Sequence, residues 1–376
     1  MKGTAPEYIL AVESSCDESA VALVQNGREV IAERVASQTA LHATAGGVVP
    51  EAAARAHHEQ LPYLLDEVLD EAEIAGIREK INGVAVTAGP GLIGSLIVGT
   101  GLASAWAWGR GLPLIATSHL EGHFRAAWLT RGGVGGGGGR LPAVALIVSG
   151  GHTLLASISA SGEQKLLGTT IDDAAGEAFD KIARLLGLPY PGGAALSALA
   201  AGEKPGGARL VLPVAQTRDS LDFSFSGVKT AAARLALEAI GVDPSAPGRA
   251  ATLQRQLAER PVPQEARVRI AAAAERAIVA ALAARVRTAL EGHPEAMLIV
   301  GGGVAANGPL RAALTEVATA AQCEISIPPL RWCTDNAAMI GAAAHAAVRE
   351  GRAELLDPAK GIRPAASWTF GSISPS

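Results

Sequence analysis

A chain of 376 residues is long enough for two lobes, and with 49% hydrophobic but only 3% aromatic residues its cores must be filled by alanine, valine and leucine. The net charge of −4 argues against nucleic-acid binding by bulk charge, so any RNA site has to be a local patch or be shared with a partner. Three widely spaced cysteines, Cys16, Cys323 and Cys333, rule against a disulfide framework and read as reduced thiols of a cytoplasmic protein.

Tyr8 to Glu13 reads as a strand and Ser19 to Gln25 as a second. Asn26-Gly27 is a two-residue hairpin signal leading into a third strand, Glu29 to Ala36. Ile9 to Val12 is too short an apolar run for a signal peptide. Pro50 to Glu73 predicts a long helix. The uncharged stretch from Ile81 to Gly109 has the length of a membrane span, but Asn82, Gly83 and Pro90 interrupt it. It parses instead as a buried strand (Gly83 to Thr87), a Gly-Pro-Gly turn and a buried helix (Leu92 to Trp108). A strand from Leu114 to Thr117 then leads into a histidine-bearing helix. Arg131 to Arg140 holds seven glycines and is expected to be a flexible loop with no core of its own.

The pattern then restarts. Strands are expected at Ala143 to Val148, His152 to Ile158 and Lys165 to Thr170, with a Gly150-Gly151 turn between the first two. A helix runs from Asp173 to Leu186 and stops at Gly187. After a region of helices and loops come a long alanine-rich helix (Gln264 to Glu291), a strand (Ala296 to Val300), a helix from Gly308, a strand (Glu324 to Ile327) and a helix from Asn336. Both halves place antiparallel strands first and alternating helices and strands after. The expectation is therefore an α/β fold of two duplicated lobes with a nucleotide cleft between them.

The chemistry concentrates in Ser118-His119-Leu120-Glu121-Gly122-His123. Residues i and i+4 share a helix face, so both imidazoles can reach one ion. Asp335, in Cys333-Thr334-Asp335-Asn336, is the best third ligand; its bland alternative is a helix N-cap. Two imidazoles and a carboxylate suit iron or zinc. A zinc protease would need a glutamate directly after the first histidine, which is absent. Three glycine-rich loops lie between: Val148-Ser149-Gly150-Gly151-His152-Thr153, Tyr190-Pro191-Gly192-Gly193 and Gly301-Gly302-Gly303 through Asn307. Loops of this kind let backbone approach phosphate. A metal beside them points to chemistry on a nucleotide; a general kinase or ATPase would not need the histidine pair.

The order of motifs resembles one family. Glu13-Ser14-Ser15-Cys16-Asp17-Glu18 follows the first strand. Pro50-Glu51 and Arg55-Ala56-His57 open the long helix, and His119/His123 come next. Val148 to Thr153, Asp172-Asp173-Ala174-Ala175-Gly176-Glu177-Ala178-Phe179-Asp180-Lys181, Pro191-Gly192-Gly193 and Phe223-Ser224-Phe225-Ser226-Gly227 follow, then Gly302 to Asn307 and Thr334-Asp335-Asn336. Over roughly residues 8–350 the chain resembles the bacterial tRNA N6-adenosine threonylcarbamoyltransferases (TsaD), once described as O-sialoglycoprotein endopeptidases. The resemblance implies two actin-like, sugar-kinase-like (ribonuclease H-like) lobes, expected at residues 7–118 plus 336–365 and at residues 119–335.

It also implies transfer of a threonylcarbamoyl group from threonylcarbamoyl-AMP to N6 of the adenosine at position 37 of tRNAs that read codons beginning with adenine. One divalent metal per chain, Fe²⁺ with zinc as the alternative, would sit on His119, His123 and Asp335. Ile147, Val148, Ser149, Gly150, Gly151, Asp180, Gly193 and Asn307 match substrate-contacting positions. Glu13 and Asp17 are the expected catalytic carboxylates, accepting the N6 proton or orienting a metal-bound water. A TsaB-like paralogue and a small TsaE-like ATPase are the implied partners, with no membrane. Where the family often carries an acidic residue after Gly193, this chain has Ser197. Local cations for tRNA are Arg34, Arg55 and Arg125; Arg267, Arg269 and Arg276 on the long helix are further candidates that read rather as a solvated helix face.

Overall fold

The structure is a computed structural model and describes residues 4–43, 47–135, 138–204, 209–214, 220–243 and 259–371. Residues 136–137 of the glycine run and 244–258 of the stretch from Gly241 to Val262 lie outside them.

Seven strands make the first sheet: Tyr8–Glu13 (β1), Glu18–Gln25 (β2), Glu29–Ser37 (β3), Gly83–Gly89 (β4), Leu114–Ser118 (β5), Thr130–Arg131 (β6) and Val134–Gly135 (β7). Their order is β5-β4-β1-β2-β3-β6-β7. The second sheet comprises Ala143–Val148 (β8), Thr153–Ile158 (β9), Gln164–Thr169 (β10), Met297–Gly301 (β11) and Ile325–Ser326 (β12), ordered β10-β9-β8-β11-β12. In each sheet the first three strands are antiparallel and the next two are parallel to the first. Strand for strand, the second sheet repeats β1 to β5 of the first, so the expected duplication is present as topology.

Ten helices are described: Thr39–Ala43 (α1), Pro50–Ile74 (α2), Ile93–Arg110 (α3), His119–Arg125 (α4), Ala175–Leu185 (α5), Gly192–Ala200 (α6), Ser226–Ala239 (α7), Gln264–Glu291 (α8), Gly308–Ala320 (α9) and Ala337–Arg349 (α10). Alternation along β1 explains their arrangement. Leu10 and Val12 face one core with Leu61, Leu65 and Val68 of α2 and Ala103 and Ala107 of α3. Ile9 and Ala11 face the opposite core with Met339, Ile340 and Ala342 of α10. In the second sheet Val144, Leu146 and Val148 pack with α5 to α9, whereas Ala143, Ala145 and Ile147 meet Leu120 and Phe124 of α4. The inner faces of the two sheets thus rest on α10 and α4, and these two helices rest on each other. Gly122 permits the approach: a Cβ there would lie 3.0 Å from Met339 and Ile340. No described helix is long and apolar enough to cross a membrane.

One detail differs from the sequence reading. The Asn26-Gly27 turn forms as expected, with φ of 52° and 63°, but the glycine run is not wholly structureless. Gly132 and Gly133, at φ 59° and 76°, turn β6 back on β7. Glu29 then anchors the hairpin to β3, accepting from Thr130 Oγ1 at 2.5 Å and from the Gly132 N–H at 2.6 Å. Residues 130–135 therefore extend the first sheet.

Candidate metal site and glycine turn

β5 runs directly into α4, all seven residues of which are buried. His119 Nε2 and His123 Nε2 are 3.1 Å apart. Asp335 Oδ1 lies 3.2 Å from His123 Nε2 and 3.6 Å from His119 Nε2. A tetrahedral ion with bonds of 2.0–2.1 Å separates neighbouring donors by about 3.3 Å, so the three atoms fit the edges of one coordination polyhedron. Asp335 is free for this because the capping is done next door: Asn336 Oδ1 accepts from the Met339 N–H at 2.8 Å. Cys333 turns away, its sulfur accepting from Arg311 at 3.2 Å.

Glu13 sits behind His119 and is fully buried. Its Oε2 accepts from His119 Nδ1 at 3.1 Å and from Thr87 Oγ1 at 2.6 Å, and its Oε1 accepts from the Ser15 N–H at 2.5 Å. A carboxylate can only accept here, so Nδ1 carries a proton, and Nε2 is the ring nitrogen turned toward Asp335. Glu13 therefore holds the His119 ring from behind, the place that outer carboxylates take around metal-bound histidines; its full burial does not by itself favour the expected role of accepting the N6 proton. Burial opposes charge on both members, yet His119 holds Glu13 below the usual carboxylate range. Asp335 and Glu13 in turn outweigh burial and raise His119 to about 9. Burial also opposes the charge of Asp335, which the two imidazoles keep low. His123 Nδ1, by contrast, is buried with no hydrogen-bond partner among the described residues.

Beyond β8 the chain turns tightly. The Ser149 N–H donates to His152 O at 2.8 Å, and the His152 N–H to Ser149 Oγ at 3.1 Å. Ile147 and Val148 bury their side chains in the cores, so only their backbone can meet a ligand. Gly150 and Gly151 form an exposed tip where an added Cβ would meet nothing within 4 Å. No protein atom requires glycine there. His152, to which the sequence assigns no role, has its imidazole pushed down to about 4 by burial and by His119 and His123, so the turn adjoins the histidine pair.

The third glycine loop has a different reason. A Cβ on Gly301 would run into the carbonyl of His123, and one on Gly302 into that of Val148. These glycines let β11 pass α4 and β8 closely, a packing demand that by itself accounts for glycine at both positions. Gly302 also has φ 92°. Gly302→Ala is expected to cost about 2–4 kcal/mol through strain and overpacking, read as a lower midpoint in urea; an unchanged midpoint would contradict this reading.

Asp180 Oδ1 accepts from the Gly193 N–H at the start of α6, 3.1 Å away, so these two predicted residues are joined. Asn307 Oδ1 caps α9 by accepting from Leu310 N, and its amide nitrogen donates to Ser197 Oγ and Glu275 Oε1, all at 2.8 Å. Glu275, on α8, is a further residue that sequence reasoning missed: Ser197 Oγ donates to the same oxygen at 2.5 Å. Across the cleft, burial and then backbone contacts govern Asp180, but the charge of Asp17 also raises it and Tyr190, so the β1–β2 turn faces this wall. Next to Asp17, Glu18 was also missed. Burial, Asp335 and Asp17 push it up to about 9.

A sequence profile described as tRNA N6-adenosine threonylcarbamoyltransferase (TsaD) matches residues 29–342. Proteins of that name from Bordetella avium and Symbiobacterium thermophilum are 45% and 42% identical, over 97% and 95% of this chain and 99% and 96% of theirs. The Geobacter sp. (strain M21) protein is 41% identical over 88% of this chain and 89% of its own. The chain belongs to the tRNA N6-adenosine threonylcarbamoyltransferase family. It is a tRNA-modifying transferase.

Two solved HypF structures, one from T. kodakarensis and one in a phosphate- and nucleotide-bound form, each superpose with TM-score 0.53 at 13% and 10% identity. They cover 93% of the transferase, which spans 48% and 47% of those chains. At such identities the likeness concerns the fold alone, a two-lobed α/β architecture.

Of the transferase's expected tRNA-facing cations, few stand free. Arg125 is buried in ion pairs, Arg34 is bound to Glu67 and Glu71, and Arg276 to Glu203. Arg267 donates to Gln264 and Arg269 is also engaged. Arg55 is exposed on α2.

Proposed function

We propose that the enzyme transfers threonylcarbamoyl from threonylcarbamoyl-AMP to N6 of the adenosine at position 37 in tRNAs reading codons that begin with adenine. One divalent ion, Fe²⁺ in preference to Zn²⁺, would be held by His119, His123 and Asp335. The observation that carries this reading is the convergence of three ligand atoms within 4.8 Å of one another, beside a turn whose glycine tip is open.

An adenine amine is a poor nucleophile because its lone pair is delocalised into the ring. The carbamoyl carbon must therefore be strongly polarised and the phosphate leaving group stabilised. A bound divalent ion supplies Lewis acidity toward those oxygens. Gly150 and Gly151 offer backbone N–H groups to the phosphate, with no side chain in the way. N6 attacks the carbamoyl carbon, the bond from that carbon to the phosphate oxygen breaks with its electron pair leaving on AMP, and Asp17 receives the N6 proton. Glu13 holds the His119 ring. Asp180 and Gly193 present the ribose wall. The reading includes a TsaB-like paralogue and a TsaE-like ATPase as partners in the cytoplasm, with tRNA binding shared across the assembly because the chain itself carries a net charge of −4.

The test is incubation of the chain and its partners with threonylcarbamoyl-AMP and unmodified tRNA. Mass spectrometry of the digested tRNA should find the modification at position 37 only; modification elsewhere, or none, would sink the proposal. Asp17→Asn should lower the transfer rate by about 10²–10⁴-fold while leaving AMP affinity unchanged. A variant with normal rates would remove Asp17 from the chemistry.

A further inference from the structure

Helix α4 carries two i,i+4 pairs. His119 and His123 turn toward Asp335. Glu121 and Arg125 are displaced from them by two residues, about 200° around the helix, and point the other way. There they enter a buried quartet of charges. Arg125 Nη2 donates to both oxygens of Glu350 at 2.6 Å. Arg352 Nη1 donates to Glu121 Oε2 at 3.0 Å, and its Nη2 reaches Glu121 Oε1 and, at 2.6 Å, Glu350 Oε2. The side chains of Arg125 and Glu121 are only 6% and 9% exposed, and those of Glu350 and Arg352 17% and 16%. The Arg125 guanidinium is further held over the Phe124 and Trp128 rings, at 4.9 and 5.1 Å.

The placement of these partners matters. Glu350 is the C-cap of α10, and Asp335 directly precedes the N-cap of the same helix. The two helices that bear the three ligands are therefore tied together by charges remote from the ligands themselves. Helix α4 has seven residues and a central glycine, too short to hold its own orientation. Its axis is set by what it touches. The bidentate Arg352–Glu121 pair, with the Arg125 Nη2 shared between both Glu350 oxygens, fixes angle as well as distance, which apolar contacts on Leu120 and Phe124 do not.

We infer that the Glu121–Arg125–Glu350–Arg352 quartet positions α4 on α10 and thereby sets how well His119 and His123 meet Asp335 around a metal ion. The inference rests on the metal reading of that triad. None of the four residues touches the ion or the substrate; they are positioning residues.

The experiment is titration of the metal-free full-length chain with Co²⁺, following affinity and the visible ligand-field absorption, with circular dichroism to establish that each variant is folded at the temperature used. Arg125→Met and Glu350→Gln should each weaken Co²⁺ binding by about 10-fold, the low end of the range for direct partners of metal ligands because the quartet acts through the helix, and should alter the absorption. Arg125→Lys and Glu350→Asp, which keep the charges, should recover part of the affinity and serve where the larger changes fail to fold. Folded variants with wild-type affinity and spectrum would overturn the inference, even if their melting temperatures fell. His123→Ala separates the two readings. If it binds Co²⁺ like the wild type, the triad is not the site and the inference falls with it. If it loses Co²⁺ while the quartet variants keep it, the inference alone fails.

Discussion

Replacing His123 by alanine is expected to abolish stoichiometric metal binding and, with it, transfer activity. The Nε2 of His123 is within 3.2 Å of both other ligand atoms, so its loss leaves two donors on one side of an open position. Loss of a direct ligand should cost more than the ~10–100-fold typical of outer-shell changes. The fold should survive. His123 lies within a helix, where alanine is a better former, and the deleted ring leaves a buried void costing about 2–4 kcal/mol. Metal content of the anaerobically loaded protein, measured by plasma mass spectrometry beside a circular-dichroism spectrum, checks this. A folded variant carrying a full equivalent of metal would remove His123 from the ligand set.

Gly150→Val should separate binding from folding more cleanly. At this position an added Cβ meets nothing within 4 Å, and the backbone is not in the left-handed region. The thermal midpoint should therefore hardly move, as for other surface changes within about 0.5 kcal/mol. If phosphate lies against the Gly150-Gly151 tip, the valine side chain occupies its path. Losing one or two charge-assisted hydrogen bonds of about 1.5–3 kcal/mol each would then weaken AMP binding by roughly tenfold or more. Calorimetry with AMP reads this directly. Unchanged AMP affinity would show that the ligand passes elsewhere. The contrast with Gly302→Ala, expected to damage folding, distinguishes the two kinds of glycine.

Much of the architecture is legible along the chain. The continuous apolar runs at Ile9 to Val12 and Ala143 to Val148 mark strands buried on both faces. Asn26-Gly27 marks its hairpin, and the repeated order of strands and helices marks the duplication. His119 and His123 stand out because helical periodicity is local: four residues of separation already determine a shared face. Asp335 was found by motif resemblance, and its place beside them needed the fold.

What local pattern cannot contain is the identity of neighbours far apart in sequence. Glu13 reads as a catalytic carboxylate, and nothing local shows that the ring of His119, 106 positions away, turns onto it. Arg125 reads as a surface cation until Glu350, 225 positions on, draws it inside. Glu18 and Glu275 carry no local mark; only burial and converging charges or hydroxyls single them out. Glycine is the sharpest case. Gly150-Gly151 and Gly301-Gly302 look alike on paper, because a missing side chain makes room equally for a ligand or for another stretch of backbone. The sequence alone determined that backbone must come close at both places. Only the packing of β11 against α4 and β8 decided that one gap is filled by the protein and the other left open, since which atom enters the space depends on elements more than 150 residues apart.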